Sequence, residues 1–452
     1  MSAHQGGAAN SLNPITVLSR LFTGLVSRYL PDPLVFAILL TAIVFVLGVA
    51  LTPTGPVDMV RLWGDGFWNL LAFAMQMALV LVTGHALASS EPVGRAMGRL
   101  AALARTPVQG VMLVVFATSI ACVVNWGFGL VVGAMFAREV ARRIPRSDYR
   151  LLIAAAYMGF MTWHGGLSAS IPLVAATKGN PLEKTIGLIP VSDTIFATYN
   201  IAITAALIIV LPFICRTMHP EPKNVVAIDP SLLAPPEGTR RTLAPGATPA
   251  ERLDESRFLA LAVAALGIFY LVLYFGKNGF NLTINTVNLM MLIAGLILHR
   301  TLMGYARAVA NAARGTAGIM IQFPFYAGIQ MMMEGSGLGG LITNWFVTIA
   351  SRDSFPVLAF FSSAVINFAV PSGGGHWVVQ GPFIMPAAKA LGVDPGKAAM
   401  AIAYGEEWMN MAQPFWALPA LAIAGLGVRD IMGYCVTALV LTTPIFVLGL
   451  YL

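Results

Sequence analysis

Residues 371–377 read "PSGGGHW" and separate two apolar runs, "FPVLAFFSSAVINFAV" (355–370) and "VVQGPFIMPAAKAL" (378–391). Three glycines, a hydroxyl and an imidazole interrupt sequence that is otherwise oily. The arm Pro356–Val370 has 15 residues. As a helix it is roughly 22 Å long, short of a bilayer core of ~30 Å. If the run enters a membrane, its end stops at depth, where non-helical backbone survives only inside protein or along a polar cavity.

The composition places it there. Of 452 residues, 57% are hydrophobic and 10% charged, against about 25% charged in soluble domains. Long apolar runs recur from Leu34 to Leu452, so the chain reads as an all-α polytopic membrane protein. Residues 1–13 are polar and lack the apolar stretch of a cleavable signal, so the first span is expected to be retained. The net charge of +7 gathers in loops, as membrane topology requires, and does not point to nucleic acid. Cys122, Cys215 and Cys435 are scattered through apolar segments and suit small core residues.

Residues 14–31 have an amphipathic helical pattern, either lying on the membrane surface or packed on the protein. Spans follow at 33–51 and 67–88. The apolar segment 108–137 has Arg95, Arg99 and Arg105 before it and Arg138, Arg142, Arg143, Arg146 and Arg150 after it. Both flanks should then be cytoplasmic. A re-entrant hairpin turning at "NWGFG" (125–129) satisfies this, and about 30 residues are too few for two crossings of about 20 each. A segment at 151–176, interrupted by "WHGGLSAS" (163–170), and a span at 194–215 complete the first half. Residues 216–256 form a Pro-rich polar linker.

The second half has spans at 258–276, 284–300 and 315–334, an amphipathic piece at 338–350, the interrupted segment 356–391, and spans at 397–425 and 430–451. The halves echo each other: "VVNW" (123–126) and "VINF" (365–368), "AAAY" (154–157) and "AIAY" (401–404), "VSD" (191–193) and "VRD" (428–430), in the same order. The span at 258–276 has no counterpart, so the second half runs inverted. The expected divisions are 1–32 (interfacial helix), 33–215 (first repeat, hairpin 108–137), 216–256 (linker), 257–283 (connecting helix) and 284–452 (second repeat, hairpin 356–391). This gives an inverted repeat of about nine transmembrane helices, with two re-entrant hairpins, two broken helices, and a cytoplasmic N-terminus. Inverted repeats with broken helices mark secondary transporters.

The candidate site residues sit at those interruptions. Gly373, Gly374 and Gly375 permit positive φ and close ligand approach. The next helix is expected to start near His376, with Ser372 as its cap and its free N–H groups as an anion site, so that Ser372, the glycine amides and His376 are expected to hold the substrate. Trp377 follows. The other tip offers Asn125, Trp126 and Gly127 for a cation, a substrate or packing. The first break carries His164, Gly165, Gly166, Ser168 and Ser170. The second carries Glu406, Glu407, Asn410, Gln413 and Pro414, where proline frees a carbonyl that suits Na⁺. Glu406 and Glu407 face about 100° apart, so one of them is expected to point inward. An intramembrane carboxylate is functional by default. His85, Glu334, Glu406 and Asn367 are the ion-coupling candidates; His85 and Glu334 alternatively mark span boundaries. Trp126, Trp377, Trp408 and Phe415 either line a small apolar pocket or pack. Lys and Arg are nearly absent from span interiors, which favours a small monocarboxylate over a multiply charged ligand. An intramembrane hydrolase using Ser372 and His376 lacks a recognisable nucleophile motif. A passive channel differs from a carrier in the absence of gradient-driven accumulation.

Four long motifs, "WGDGFWNLLAFAMQMALVLVTGHALASS" (63–90), "VNWGFGLVVGAMFAREVARR" (124–143), "NFAVPSGGGHWVVQGPF" (367–383) and "AIAYGEEWMNMAQPFWALPALAIAGLGVRDIMGYC" (401–435), resemble the bacterial short-chain fatty acid transporter family of the acetoacetate-degradation type. The resemblance runs end to end, through "INTVNLM" (284–290) and "QFPFYAGIQ" (322–330). It implies uptake of acetoacetate, butyrate or similar acids across the bacterial inner membrane but does not fix the coupling ion; the residues themselves lead us to expect a secondary carrier coupled to H⁺, with Na⁺ the alternative, and no cofactor. It also implies kinship with the ion-transporter superfamily, whose members often move by an elevator. The expected partners are the carboxylate, the bilayer and a second copy in a homodimer.

Overall fold

The computed structural model describes residues 33–220, 222–230, 246–367, 370–413 and 415–452. The amphipathic segment before 33 and Pro414 lie outside the described residues. Within them the chain is helical, without strands.

The first repeat runs α1 (Pro33–Leu51), α2 (Pro56–Gly66), α3 (Leu71–Ala88), α4 (Glu91–Ala101), α5 (Pro107–Val124), α6 (Trp126–Arg143), α7 (Tyr149–Met158), α8 (Ser170–Ala176) and α9 (Thr198–Thr217). The connecting helix is α10 (Arg257–Asn278). The second repeat is α11 (Ile284–His299), α12 (Leu302–Ala313), α13 (Ala317–Ser336), α14 (Leu338–Ile349), α15 (Phe355–Asn367), α16 (Gly373–Ala390), α17 (Pro395–Met409), α18 (Ala417–Ala424) and α19 (Val428–Gly449). The nine elements of one repeat match those of the other in order, including short helices α2, α4 and α12 that the apolar pattern does not announce.

Packing is reciprocal between the repeats. Helix α3 packs on α11 and α12, while its counterpart α13 packs on α1 and α2. Helix α6 packs on α18, and α16 packs on α8. Such exchange is what a two-fold relation between repeats produces, and with α10 intervening the second repeat crosses in the opposite sense. Among the described residues six helices, α1, α3, α5, α9, α10 and α19, are long and apolar enough to cross a membrane.

Local sequence explains the ends. Thr106, Asn125, Asp148 and Asp394 accept N–H bonds from Gln109, Phe128, Leu151 and Lys397 as helix caps. The hairpin arms differ from the expected 108–137: α5 and α6 have 18 residues each, about 27 Å per arm. Glu139 pairs with Arg142 and Arg143, both at 3.2 Å, which carries α6 past the apolar segment. The first part of the linker is also more ordered than its composition suggests. Val226 N–H donates to buried Asp148 Oδ2 at 2.9 Å, and Tyr149 N–H donates to Val226 O at 2.8 Å.

Helix α16 begins at Gly373, three residues before the expected start. Gly373–Gly375 are helical and none has positive φ. Their lack of a side chain serves close packing instead. A Cβ on Gly373 would lie 2.7 Å from His164 Nε2, one on Gly374 3.0 Å from Phe73, and one on Gly375 2.6 Å from Tyr326. Ser372 holds the N-cap position, but its side chain makes no capping bond.

Candidate functional site

Both hairpin tips and both helix breaks meet in the interior. At tip one, Trp126 N–H donates to Ser168 Oγ at 2.9 Å, and Leu167 N–H donates to Val123 O at 2.7 Å. A Cβ on Gly166 would strike the Val123 backbone at 2.5–2.8 Å. A Cβ on Gly127 would lie 3.0 Å from the Leu81 backbone. Tip two reaches the same break through Gly373, which abuts Trp163 and His164.

The two breaks join at His164. Its backbone N–H donates to Glu407 Oε2 at 2.6 Å. Its ring Nδ1 lies 3.3 Å from Glu406 Oε2. That separation is an ion pair's, but the ring is angled so that no hydrogen bond forms; neither ring nitrogen has a hydrogen-bond partner among the described residues. Both glutamates are buried, contrary to the expectation that one alone points inward. The irregular backbone after Thr162 wraps both faces of α17, one glutamate taking the main chain and the other the ring. A polar line extends from this centre. Asn410 Nδ2 sits 3.5 Å from each Glu406 oxygen, and Asn367 Nδ2 donates to Asn410 Oδ1 at 3.1 Å. Gln413 Oε1 accepts from Phe415 N–H at 3.0 Å and so braces the second break.

His376 is engaged elsewhere. Its Nε2 lies 2.8 Å from Ser363 Oγ and 2.5 Å from Gln380 Oε1, and Ser363 donates to Ile402 O at 2.6 Å. The ring thus clasps the two arms of hairpin two to α17. Trp377 is buried beside Gly381 and Leu182. Trp408 donates to Leu439 O at 2.8 Å. Neither ring contacts Trp126. Glu334 is exposed near the end of α13 and accepts from Gln330 at 2.8 Å. His85 is half-buried, one residue after Gly84, which abuts Asn125. The structure brings neither His85 nor Glu334 to the His164 centre. An apolar groove of about 480 Å³ between α5 and α9, lined by Met112, Phe116, Ile208 and Phe213, is also separate from it.

Sequence reading missed several residues at the centre. Asn200 Nδ2 donates to Gly165 O at 3.1 Å and to Ile195 O at 2.6 Å, while its Oδ1 accepts from Tyr404 at 2.7 Å. Tyr157 donates to Asn410 O at 2.9 Å. The tyrosines were visible as a repeated "AxAY" pattern; their partners, more than 200 residues distant, were not. Trp163 and Trp416 flank Trp126 at ring-centroid distances of 5.7 and 5.0 Å.

A family model described as short chain fatty acid transporter matches residues 14–452. An Escherichia coli (strain K12) protein named "Putative short-chain fatty acid transporter" is 67% identical over 96% of this chain and 99% of its own length. A Haemophilus influenzae protein of the same name is 62% identical over 97% and 99%. The fold resembles the crystal structure of the Alcanivorax borkumensis YdaH transporter, described as having an unusual topology, with TM-score 0.59 and 19% identity over 93% of this chain and 98% of that one. The chain belongs to the short-chain fatty acid transporter family: it is a multi-pass membrane transporter, not an enzyme.

Proposed function

We propose that the protein takes up acetoacetate, butyrate or a similar monocarboxylate across the bacterial inner membrane, driven by protons, with its N-terminus cytoplasmic. The observation that carries the coupling is the buried contact of His164 Nδ1 with Glu406 Oε2 at 3.3 Å. The two groups are close enough that a proton on either is felt by the other, although no hydrogen bond joins them in this conformation. Loading or releasing that proton changes the charge of the site by one, where charge is costly. Glu407 and Asn410 fix the pair from either side. The tips and breaks, where Asn125, His164, Ser372, Glu406 and Asn410 are buried, form an occluded centre that an elevator-type shift would expose to one face and then the other.

The test is accumulation of labelled butyrate or acetoacetate by proteoliposomes under H⁺ and Na⁺ gradients imposed one at a time. Accumulation driven by the proton gradient and abolished by a protonophore is expected. Accumulation driven by Na⁺ alone would overturn the proton assignment, and equilibration without accumulation under either gradient would make the protein a passive channel.

A further inference from the structure

We propose that Trp126, Trp163 and Trp416 form the substrate box, their indole N–H groups holding the carboxylate and their ring faces the short carbon chain. The inference deepens the carboxylate-carrier reading and rests on it.

The three rings come from three different interruptions of the fold. Trp126 opens α6 at hairpin tip one, Trp163 lies in the first break, and Trp416 precedes α18 in the second. Their edge-on packing places polarised ring edges against neighbouring faces. Phe160 backs Trp163 in a stack at 5.2 Å and 6°. Trp163 in turn covers the His164 ring at 3.6 Å.

Every indole Nε1 in this cluster is buried without a hydrogen-bond partner among the described residues. Asn125 Nδ2, directly beside the cluster, lacks a partner too, whereas the His164 ring faces Glu406 at 3.3 Å. A buried donor without an acceptor forfeits its hydration and recovers nothing. Elsewhere Trp408 donates to Leu439 O while Trp63 and Trp377 are also unpaired, so what sets this cluster apart is that three such donors gather at one junction of a hairpin tip with both breaks. The unpaired groups at the centre are chiefly donors. The first-turn N–H groups of α16, starting at Gly373 against Trp163, add further donors without intrahelical acceptors. Donors in excess, set among aromatic faces and free of lysine and arginine, suit a ligand with one carboxylate and a short apolar body. A ligand bridging the three tryptophans also ties hairpin one to both breaks, so that they move as one unit once it is bound.

The test uses the full chain in proteoliposomes with Trp163→Phe, Trp416→Phe and the double variant. Phenylalanine keeps a ring and removes the donor. Each single variant is expected to raise the KM for butyrate about tenfold, the scale of a lost bond to a charged group, with Vmax little changed. Trp416→Ala is expected to let hexanoate compete better than in wild type. Trp345→Phe, on the exposed face of α14, is the control. Wild-type KM and chain-length profile in the double variant, beside active wild type, would overturn the box alone. Should wild type not transport, tryptophan fluorescence decides separately. A butyrate-dependent change, absent with butyramide and lost in the double variant, keeps the box while the carrier reading falls; no change overturns both. If Trp163→Phe fails to fold, Trp416→Phe carries the same readouts.

Discussion

Tyr157, in the broken helix of the first repeat, donates its hydroxyl to the main-chain oxygen of Asn410 in the break of the second. Its counterpart Tyr404 reaches back to the first break through Asn200, which holds Gly165 O. Each repeat therefore pins the irregular backbone of the other. Tyr404→Phe leaves Asn200 Oδ1 without this donor. A loss of about 1–3 kcal/mol is expected for an orphaned buried polar group, read as a lower melting temperature of the purified protein, and Tyr157→Phe should cost less because its acceptor is a carbonyl near a chain bend.

Glu406→Gln removes the carboxylate from the His164 pair while keeping its shape and its contact with Asn410. Uphill uptake under a proton gradient should fall to background. Exchange of labelled for unlabelled butyrate at equal pH should persist, because it needs substrate binding and movement but no net proton. A variant that still accumulated butyrate uphill would remove Glu406 from the coupling step.

Glu334→Gln should leave uptake within about twofold of wild type. Its carboxylate is exposed and touches only Gln330 among the described residues, and exposed interactions of this kind are worth under ~1 kcal/mol. A collapse of proton-driven uptake in this variant would shift attention to the end of α13.

Gly166→Ala should disrupt the junction of tip one with the first break. The new methyl group would meet Val123 backbone atoms at 2.5–2.8 Å, and backbone cannot step aside as a flexible side chain can; overpacking of this kind costs roughly 1–3 kcal/mol or more. Gly340→Ala, with nothing within 4 Å of its added carbon, should melt like wild type. Size-exclusion profiles and melting curves in detergent separate the two.

The interruptions of the fold were legible because glycine, proline and polar residues cost too much inside an apolar span to be incidental. "PSGGGHW" and "WHGGLSAS" fall where the helices stop, and their residues are buried together. The purpose of each residue was less legible. Gly373–Gly375 suggest a positive-φ segment and are instead a helical surface cleared for His164, Phe73 and Tyr326. His376 looked like a ligand and is tied to Ser363 and Gln380. Both outcomes depend on what another segment brings, and local pattern carries no record of that. Trp163 and Trp416 escaped notice for the same reason, since a tryptophan in an oily stretch has no periodicity that distinguishes wall from filler.

The reciprocal packing of α3 on α11 and of α13 on α1 has an energetic corollary. Under the alternating-access reading proposed above, contacts that shut the molecule toward one side of the membrane would have near-twins to shut it toward the other. Arrangements made from equivalent contacts are almost degenerate, so a few kcal/mol of differential cargo or proton binding redistributes them. On that reading the unloaded protein would reset along the same surfaces, with no separate machinery for the return.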